Sequence, residues 1–403
     1  VSDPTGIVEQ RLVLSFPAAF IAAQLDGHAT LDDVRNAFHA QFPGAEVSLD
    51  DVSSLVIQLD SAGFLQTESY AAFEADAFSE FRNRPTRAAH LAGRAYPAEA
   101  GALREFLDGQ FLREGAAGRR PSAEPGSSVL PGIIAPHIDF QRGGHSYSHA
   151  YLRLYESGRP HTAVIFGVAH AAEPVPFILS RKAFETPLGT LEIDHDFMDA
   201  IEPACDFDPY RHEFTHKTEH SIKFQAVMLA YVYGPGVKIV PILTSHFIDP
   251  PHETNGARNP VSRFLDACRD ASANAPYPVT IIAGADLAHV GRRFGDDFDI
   301  DDAAVDRVRL RDEEDLAHVC ALAPESFYAS VMSDDNARHV CGYNCIYSAL
   351  RTVSGRARSG GLLHYGYAPD PAGGIVSFAS AAFGGAETSR VRIGAMSEIS
   401  LEF

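Results

Sequence analysis

Histidine and acidic side chains follow three apolar runs of the sequence, at the point where each run ends. The residues and their runs are His137 after VLPGIIAP (129–136), His170 after TAVIFGVA (162–169), and Asp286 and His289 after PVTIIAGA (278–285). Imidazoles and carboxylates bind divalent metals, and an imidazole also exchanges a proton near neutral pH. One histidine after a strand is usually a hydrogen-bonded turn residue. Three such ends together indicate a metal or acid–base site.

The elements that must position these side chains are strands. The three runs and VKIVPIL (237–243) are almost continuously apolar, as strands covered on both faces are, and helical patterns lie between most of them. This pattern predicts an α/β sheet. In open α/β sheets, ligands bind outside the carboxyl ends of the strands, so we expect the side chains to converge on one crevice.

Composition limits the classes of partner. The chain has 403 residues, 45% hydrophobic and 21% charged, with a net charge of −20. Such a charge repels nucleic acid and anionic membranes and leaves small molecules, peptides or proteins as expected partners. No run of about eighteen apolar residues occurs, and the first thirty residues lack the order of a signal peptide. The five scattered cysteines indicate reduced thiols. Together, these three features predict a cytoplasmic protein.

The first 68 residues predict a small helical module. Thr30 and Ser48 each precede acidic residues, which is typical of a helix start, and Gly63 ends the second helix before the apolar pair Phe64 and Leu65. Helix, helix and strand favour a winged-helix-like domain, and a plain helical appendage is the alternative. Residues 69–128 are expected to be a helical connector, with a linker at 119–128. A helix is expected from Tyr96 and Pro97 onward, with an apolar stripe of Leu103, Phe106 and Leu107.

The segment HEFTH at residues 212–216 has the HExxH spacing of zinc peptidases. That motif requires a regular helix, which presents both histidines on one face, and a third ligand further along. The preceding CDFDPYR contains a proline and has no apolar helical stripe. We therefore reject a zinc peptidase and expect His216 near the mouth of a pocket.

Six ordered motifs give the sequence a specific resemblance. They are APHIDFQRGGHSYSHAY (135–151), GVAH (167–170), FETPLGTLEID (184–194), EHSIKFQ (219–225), ADLAHVG (285–291) and CGYN (341–344). Together with RAYPAEAGAL (94–103), they resemble the Memo family, the protein B-like members of AmmeMemoRadiSam systems, over roughly residues 85–385. The first 68 residues resemble PqqD-like domains, which implies peptide binding or a structural role.

The Memo resemblance implies a fold similar to the type III extradiol dioxygenases: a central sheet flanked by helices, within a metal-binding α/β domain at residues 129–390. It implies Fe(II) bound by His137, His170 and Cys341, with copper as a competitor. Two imidazoles and one anion on one face leave positions for dioxygen and substrate. A thiolate is softer than the usual carboxylate, so copper or zinc is an alternative metal. A buried structural cysteine is the alternative for Cys341.

The same resemblance implies acid–base residues. His289 corresponds to a histidine that ring-cleaving enzymes hold near the metal, and such an imidazole can take and return a substrate proton. Asp286 is expected to orient His289. Glu219 and His220 resemble a second acid–base element, in which His220 lines the pocket; an acidic helix N-terminus is the alternative.

Two departures from the family motifs affect the predicted pocket. Asp139 stands where a glycine is usual, and it either binds a polar substrate group or pairs with Arg142. Gly284 and Ala285 replace a serine pair, which removes hydroxyls from the pocket.

Two hypotheses for function follow. The first is an Fe(II)-dependent dioxygenase or related oxidoreductase that acts on a small molecule or peptide. The alternative is a non-catalytic metal-binding redox or adaptor protein that recruits a peptide or protein. Metal storage or delivery is a third, which predicts copper. The sequence specifies neither the substrate nor the oligomeric state.

Overall fold

The structure, a computed structural model, describes residues 1, 3, 5–8, 10–122, 124–171, 173–247, 251 and 259–384. The helices are α1 (Phe16–Ala23), α2 (Leu31–Gln41), α3 (Leu49–Ser61), α4 (Glu68–Asn83), α5 (Ala100–Leu112), α6 (Phe140–Ser157), α7 (His195–Ile201), α8 (Ser221–Tyr233), α9 (Pro260–Asn274), α10 (Asp302–Cys320), α11 (Pro324–Met332) and α12 (Tyr343–Val353). The strands are β1 (Thr86–Arg87), β2 (Gly132–Ala135), β3 (Thr162–Val168), β4 (Phe177–Leu179), β5 (Ala183–Thr186), β6 (Gly189–Leu191), β7 (Lys238–Thr244), β8 (Val279–Gly284), β9 (Asp286–Val290), β10 (Ser359–Asp370) and β11 (Gly374–Gly384). None of the helices in the described ranges is long and apolar enough to cross a membrane.

The chain separates into two compact units, Val1–Pro85 and Thr86–Phe403. The three-part division at residues 68 and 128 stays a prediction, and residues 385–390 of its last part lie outside the described residues.

The first unit contains α1 to α4. Thr30 and Ser48 cap α2 and α3, as predicted, and each forms a capping box with the aspartate three residues on. Ile21, Val34, Phe38 and Val52 form its small core. The expected strand at Phe64 and Leu65 does not form: these residues lie in the irregular connection to α4, which covers the start of the predicted helical connector. The winged-helix-like arrangement and the PqqD-like resemblance stay predictions.

The second unit is built on an eight-stranded mixed sheet. Its strand order is β10-β11-β2-β8-β3-β7-β4, and β9 pairs with β11. The four predicted runs form β2, β8, β3 and β7, which are neighbours and parallel. Helices α6, α8 and α12 pack against these strands. Every residue of β2, β3 and β8 is buried, which explains their continuous apolar sequences.

Helix α5 begins later than the sequence indicates. Pro97 precedes it, and Glu99 is its N-cap because the Glu99 carboxylate accepts a hydrogen bond of 2.7 Å from the Ala102 N–H. Proline is common in the first turn of a helix, whereas glutamate is rare at the N-cap. The sequence therefore indicated a start at Pro97 and not after Glu99. The predicted apolar stripe is confirmed at Leu103 and Leu107, both fully buried.

Candidate metal centre

The carboxyl ends of three neighbouring strands bring the predicted side chains together. Strand β2 is followed by His137 and β3 by His170, while β8 leads through Ala285 into Asp286. Because β8 lies between β2 and β3 and all three are parallel, their ends meet at one edge of the sheet. The predicted convergence at this edge is therefore observed.

Cys341 reaches the same edge from the segment before α12. The Gly342 N–H donates a 3.2 Å hydrogen bond to the Asp286 carbonyl oxygen. A Cβ added at Gly342 would lie 2.4 Å from that oxygen and 2.6 Å from the Ala285 Cβ. Only glycine permits this approach, and the cysteine beside it is thereby placed against the strand ends.

His137, His170 and Cys341 each offer one ligand atom, and these atoms all lie within 4.8 Å of one another. The Cys341 Sγ is 3.4 Å from the His137 Nε2. The two imidazole rings are almost perpendicular, with centroids 5.0 Å apart. Two imidazoles and a sulfur that converge in this way fit a first-row transition metal.

His137 is oriented by the backbone. Its Nδ1 donates to the Gly284 carbonyl oxygen at 2.9 Å, which leaves Nε2 as the free donor atom for a metal. Burial lowers the pKa of His137 to about 3, so the ring is neutral. The preceding Pro136 carbonyl accepts a 2.7 Å hydrogen bond from the Gln225 Nε2. A Cβ added at Gly284 would lie 2.9 Å from that same Nε2, so no larger residue fits there without movement.

His170 is oriented by a carboxylate. One Glu219 oxygen accepts hydrogen bonds from the His170 Nδ1 and backbone N–H, both at 3.0 Å. The other accepts the backbone N–H groups of His220 and Ser221, at 2.6 and 3.0 Å. Burial raises the pKa of Glu219, but the hydrogen bond from His170 and the two nearby imidazoles outweigh burial and hold that pKa well below its usual value. Glu219 therefore lies behind a candidate ligand and also holds the start of α8.

The Cys341 thiol needs a cation beside it to ionise. Burial, followed by the Asp286 carboxylate, raises the pKa of Cys341 well above its usual value. A bound divalent metal deprotonates a coordinating thiol outright. Cys345 lies one helical turn further along, is fully buried and is 3.0 Å from the Thr244 hydroxyl oxygen, so it packs in the core.

Asp286 contacts His137 rather than His289. Its carboxylate accepts the His137 N–H at 2.9 Å, and its second oxygen lies 3.5 Å from the His137 Nε2. Burial raises the pKa of Asp286. The His289 Nδ1 instead lies 3.1 Å from the Leu287 carbonyl oxygen. A backbone carbonyl thus takes the orienting role that we expected of Asp286.

His289 and His220 border the donor set. The half-buried His289 keeps its Nε2 as a proton acceptor because Nδ1 donates to Leu287, and burial lowers its pKa. The His220 ring stacks on His170, with centroids 4.8 Å apart and an angle of 10°, and lies 5.4 Å from His137. Burial lowers the pKa of His220 to about 4. Both rings are neutral at pH 7 and so able to accept a proton.

Two expected pocket residues, His216 and Asp139, bind other parts of the protein. His216 is buried, and its Nε2 lies 3.1 Å from the Ile178 carbonyl oxygen, so the structure puts this ring in the interior and not at a pocket mouth. Residues Glu213–Lys217 form a short 3₁₀ helix, not the regular helix that a zinc peptidase requires. Asp139 caps α6 and forms a 2.6 Å ion pair with Arg142, which is one of its two predicted roles.

The groups that orient the side chains were not predicted from the sequence. The carbonyls of Gly284 and Leu287 leave no sequence signal, because every residue has a carbonyl. Gln225 belongs to the EHSIKFQ motif and lies four residues after Ser221. On a helix, residues four apart lie on one face, so this spacing could have indicated that Gln225 faces the same edge of the sheet.

Residues 87–382 match the family of Memo-like proteins. A MEMO1 family protein of Aquifex aeolicus is 25% identical over 385 residues, which cover 95% of each chain. One of Methanopyrus kandleri is 33% identical over 205 residues, 50% of this chain and 69% of its own. One of Pyrococcus horikoshii is 32% identical over 214 residues, 51% of this chain and 66% of its own.

Proposed function

Because this chain belongs to the Memo family, and because its strand ends carry a convergent donor set, we propose that it is a metal-dependent oxidoreductase, specifically an Fe(II)-dependent dioxygenase. The observation that carries the proposal is the set of His137, His170 and Cys341 ligand atoms within 4.8 Å. Both histidines have their Nδ1 atoms occupied by acceptors, so each has one nitrogen left for a metal.

These three residues would hold a ferrous ion, which would supply the chemistry with dioxygen. The protein supplies the proton chemistry. His289 accepts a substrate hydroxyl proton at Nε2 while its Nδ1 stays bound to the Leu287 carbonyl, and it later returns that proton. His220, half-buried and stacked on His170, is a second neutral imidazole beside the donor set.

The substrate in this proposal is a small molecule or peptide with an ionisable hydroxyl group. Ala285 and Gly284 place no hydroxyl beside the donor set, so recognition depends on the histidines and on Asp286. Copper and zinc compete for the site because the Cys341 sulfur is a soft ligand. We also propose a cytoplasmic location, which the five free cysteines support.

The test is metal analysis of protein purified without oxygen, followed by oxygen uptake with catechols and hydroxyl-bearing peptides. We expect stoichiometric iron in the parent protein and its loss in His137→Ala and Cys341→Ala. Cys345→Ala and His149→Ala are the matched controls, since each removes a residue of the same type outside the donor set, and both should retain iron.

His289→Gln separates catalysis from metal binding. We expect this variant to keep its iron, because His289 is not among the ligands. We expect it to lose oxygen uptake, because glutamine cannot accept the substrate proton. Iron retained without any oxygen uptake in the parent protein would favour the non-catalytic adaptor, and stoichiometric copper would favour metal storage or delivery. A metal content that is unchanged in both His137→Ala and Cys341→Ala would refute the site itself.

A further inference from the structure

A buried ionic network lies beside the candidate metal centre, and no step above uses it. Asp312 of α10 is fully buried. One of its oxygens accepts hydrogen bonds from the Ser377 hydroxyl at 2.5 Å and the Tyr365 hydroxyl at 2.9 Å. The other accepts from the Arg338 guanidinium at 2.6 Å. Arg338 also binds Asp315, one helical turn further along α10, at 2.7 Å.

The network reaches two consecutive amides of β9. The Ser377 hydroxyl oxygen accepts a 2.9 Å hydrogen bond from the Ala288 N–H. The Arg338 carbonyl oxygen accepts a 2.7 Å hydrogen bond from the His289 N–H. The backbone around His289 is therefore tied to Asp312 by two routes, one through Ser377 and one through Arg338.

The same network holds the segment that ends in Cys341. Arg338 lies three residues before Cys341, and the Asn336 carboxamide oxygen accepts the Val340 N–H at 2.8 Å. Asp335, Asn336 and His339 have φ values of 56°, 54° and 50°. Each residue other than glycine in this left-handed region costs on the order of 1 kcal/mol, so the segment keeps its shape only if other contacts hold it. The ion pairs of Arg338 with Asp312 and Asp315 provide such contacts.

We propose that Asp312, Ser377 and Arg338 are positioning residues that fix the proton-accepting His289 relative to the thiolate of Cys341. One buried carboxylate is connected both to the strand that carries the histidine and to the segment that carries the ligand. Displacement of either element therefore disturbs the other. The proposal rests on the proposed function for the roles of His289 and Cys341, but the connection itself is tested without turnover.

Ser377→Ala and Tyr365→Phe form a matched pair for the test. Each removes one hydroxyl that donates to the same Asp312 oxygen, but only Ser377 also accepts the Ala288 N–H. We would measure deuterium exchange of peptides that cover residues 286–290 in the full-length protein. We expect faster exchange in Ser377→Ala and unchanged exchange in Tyr365→Phe. Equal exchange in the two variants would overturn the proposal, because Ser377 would then act only through the stability of the core.

Turnover gives a second readout. In Ser377→Ala we expect kcat to fall about tenfold or more, with KM and iron content unchanged, as for other partners that orient active-site groups. Tyr365→Phe should keep the parental kcat. Altered exchange in Ser377→Ala with a normal kcat would refute the positioning role. Should the parent protein lack oxygen uptake, the proposed function fails, while the exchange result still decides whether the network holds β9.

Arg338→Lys tests the connection to Cys341, since one ammonium cannot reproduce two ion pairs to separate carboxylates. We would add Co(II) without oxygen and record the thiolate-to-metal absorption of Cys341. We expect this band to be shifted or weakened in Arg338→Lys. The control is Asp315→Asn, which leaves the ion pair of Arg338 with Asp312 in place, and the band of Arg338→Lys is compared with that of the control. An identical band in the parent protein and both variants would show that Arg338 does not position the sulfur.

Discussion

The second unit contains two groups of three histidines whose rings lie about equally close together. The centre histidines are His137, His170 and His220, with centroids 4.8 to 5.4 Å apart. The helix histidines are His145 and His149 of α6 and His364 of β10, and His364 lies 4.7 and 5.2 Å from the other two. Ring distances alone do not separate the groups.

The neighbouring groups do separate them. Glu219, Asp286 and Cys341 bring acidic and sulfur atoms to the centre histidines. At the helix histidines, Arg113 donates to the His145 Nδ1, and the His149 Nε2 lies 2.9 Å from a backbone carbonyl. Within the described ranges, three or more histidine, cysteine, aspartate or glutamate side chains bring ligand atoms within 4.8 Å of one another at two places. Both places include His170. A metal centre therefore needs convergent lone pairs and negative charge, not only nearby imidazoles.

The largest expected effect is that of Glu219→Ala. The change removes the buried carboxylate that accepts four N–H groups of His170, His220 and Ser221, so we expect a loss of about 3 kcal/mol in the free energy of unfolding. Metal affinity should fall about 10- to 100-fold, because His170 loses its orienting partner. Urea denaturation and competition of Zn(II) with a coloured chelator measure the two effects.

The control for Glu219→Ala is Arg113→Gln, which alters the charged neighbour of the helix histidines and should leave Zn(II) affinity unchanged. A similar loss of affinity in both variants would abolish the distinction between the two groups.

Gly342→Ala tests the close backbone approach beside the centre histidines. The new Cβ meets the Asp286 carbonyl oxygen at 2.4 Å, so we expect a destabilisation of about 2 kcal/mol and displacement of Cys341. Thermal unfolding and iron content are the measurements. Gly109→Ala in α5 is the control, because its Cβ meets nothing within 4 Å and alanine favours a helix by about 1 kcal/mol. Unchanged iron in Gly342→Ala would show that Cys341 does not depend on this approach.

The helix histidines should make the protein sensitive to acid. Burial, followed by His364 and Arg113, lowers the pKa of His145 from 6.5 to about 3. The unfolded chain therefore binds a proton below pH 6.5 that the folded protein does not, and stability is lost as the pH falls from about 6.5 towards 3. For His145 this amounts to about 2 kcal/mol between pH 6.5 and pH 5.

Urea denaturation at pH 7.5 and pH 5 measures this loss. His145→Gln should reduce the difference in unfolding free energy between the two pH values by about 2 kcal/mol. The control is Gln141→Ala, which alters an exposed residue of the same helix that does not titrate and should leave the difference as it is. An unchanged difference in His145→Gln would mean that His145 is not held neutral by its surroundings.

The smallest expected effect is that of Asp139→Asn, at the start of the helix that carries the helix histidines. Asparagine still caps α6, so only the partly exposed ion pair to Arg142 is lost, at about 0.5 kcal/mol. KM should stay at the parental value, as in the control Arg142→Gln. A raised KM in Asp139→Asn alone would assign Asp139 to substrate binding instead.

The sequence predicts the donor residues well and their neighbours poorly. His137 and His170 come together as expected, because their positions after parallel strands follow from local patterns. Cys341 joins them as the Memo resemblance implied, and no local pattern indicated it. Asp286 and His216 show the difficulty. Both are charged or polar residues near the motifs, but whether a side chain faces a crevice or the interior depends on which elements pack around it.

The amino-acid sequence by itself determined the apolar strands, the helix caps at Thr30 and Ser48, and the residue types at the strand ends, because these depend on neighbours in the chain. Only the tertiary structure decided that a carbonyl orients His137, that Glu219 orients His170, and that Asp312 connects His289 to the Cys341 segment. These contacts join residues that are 26 to 147 positions apart, such as Arg338 with Asp312 and His137 with Gly284. Hydrogen-bond partners at such separations are selected by packing and by the need to satisfy every buried polar group.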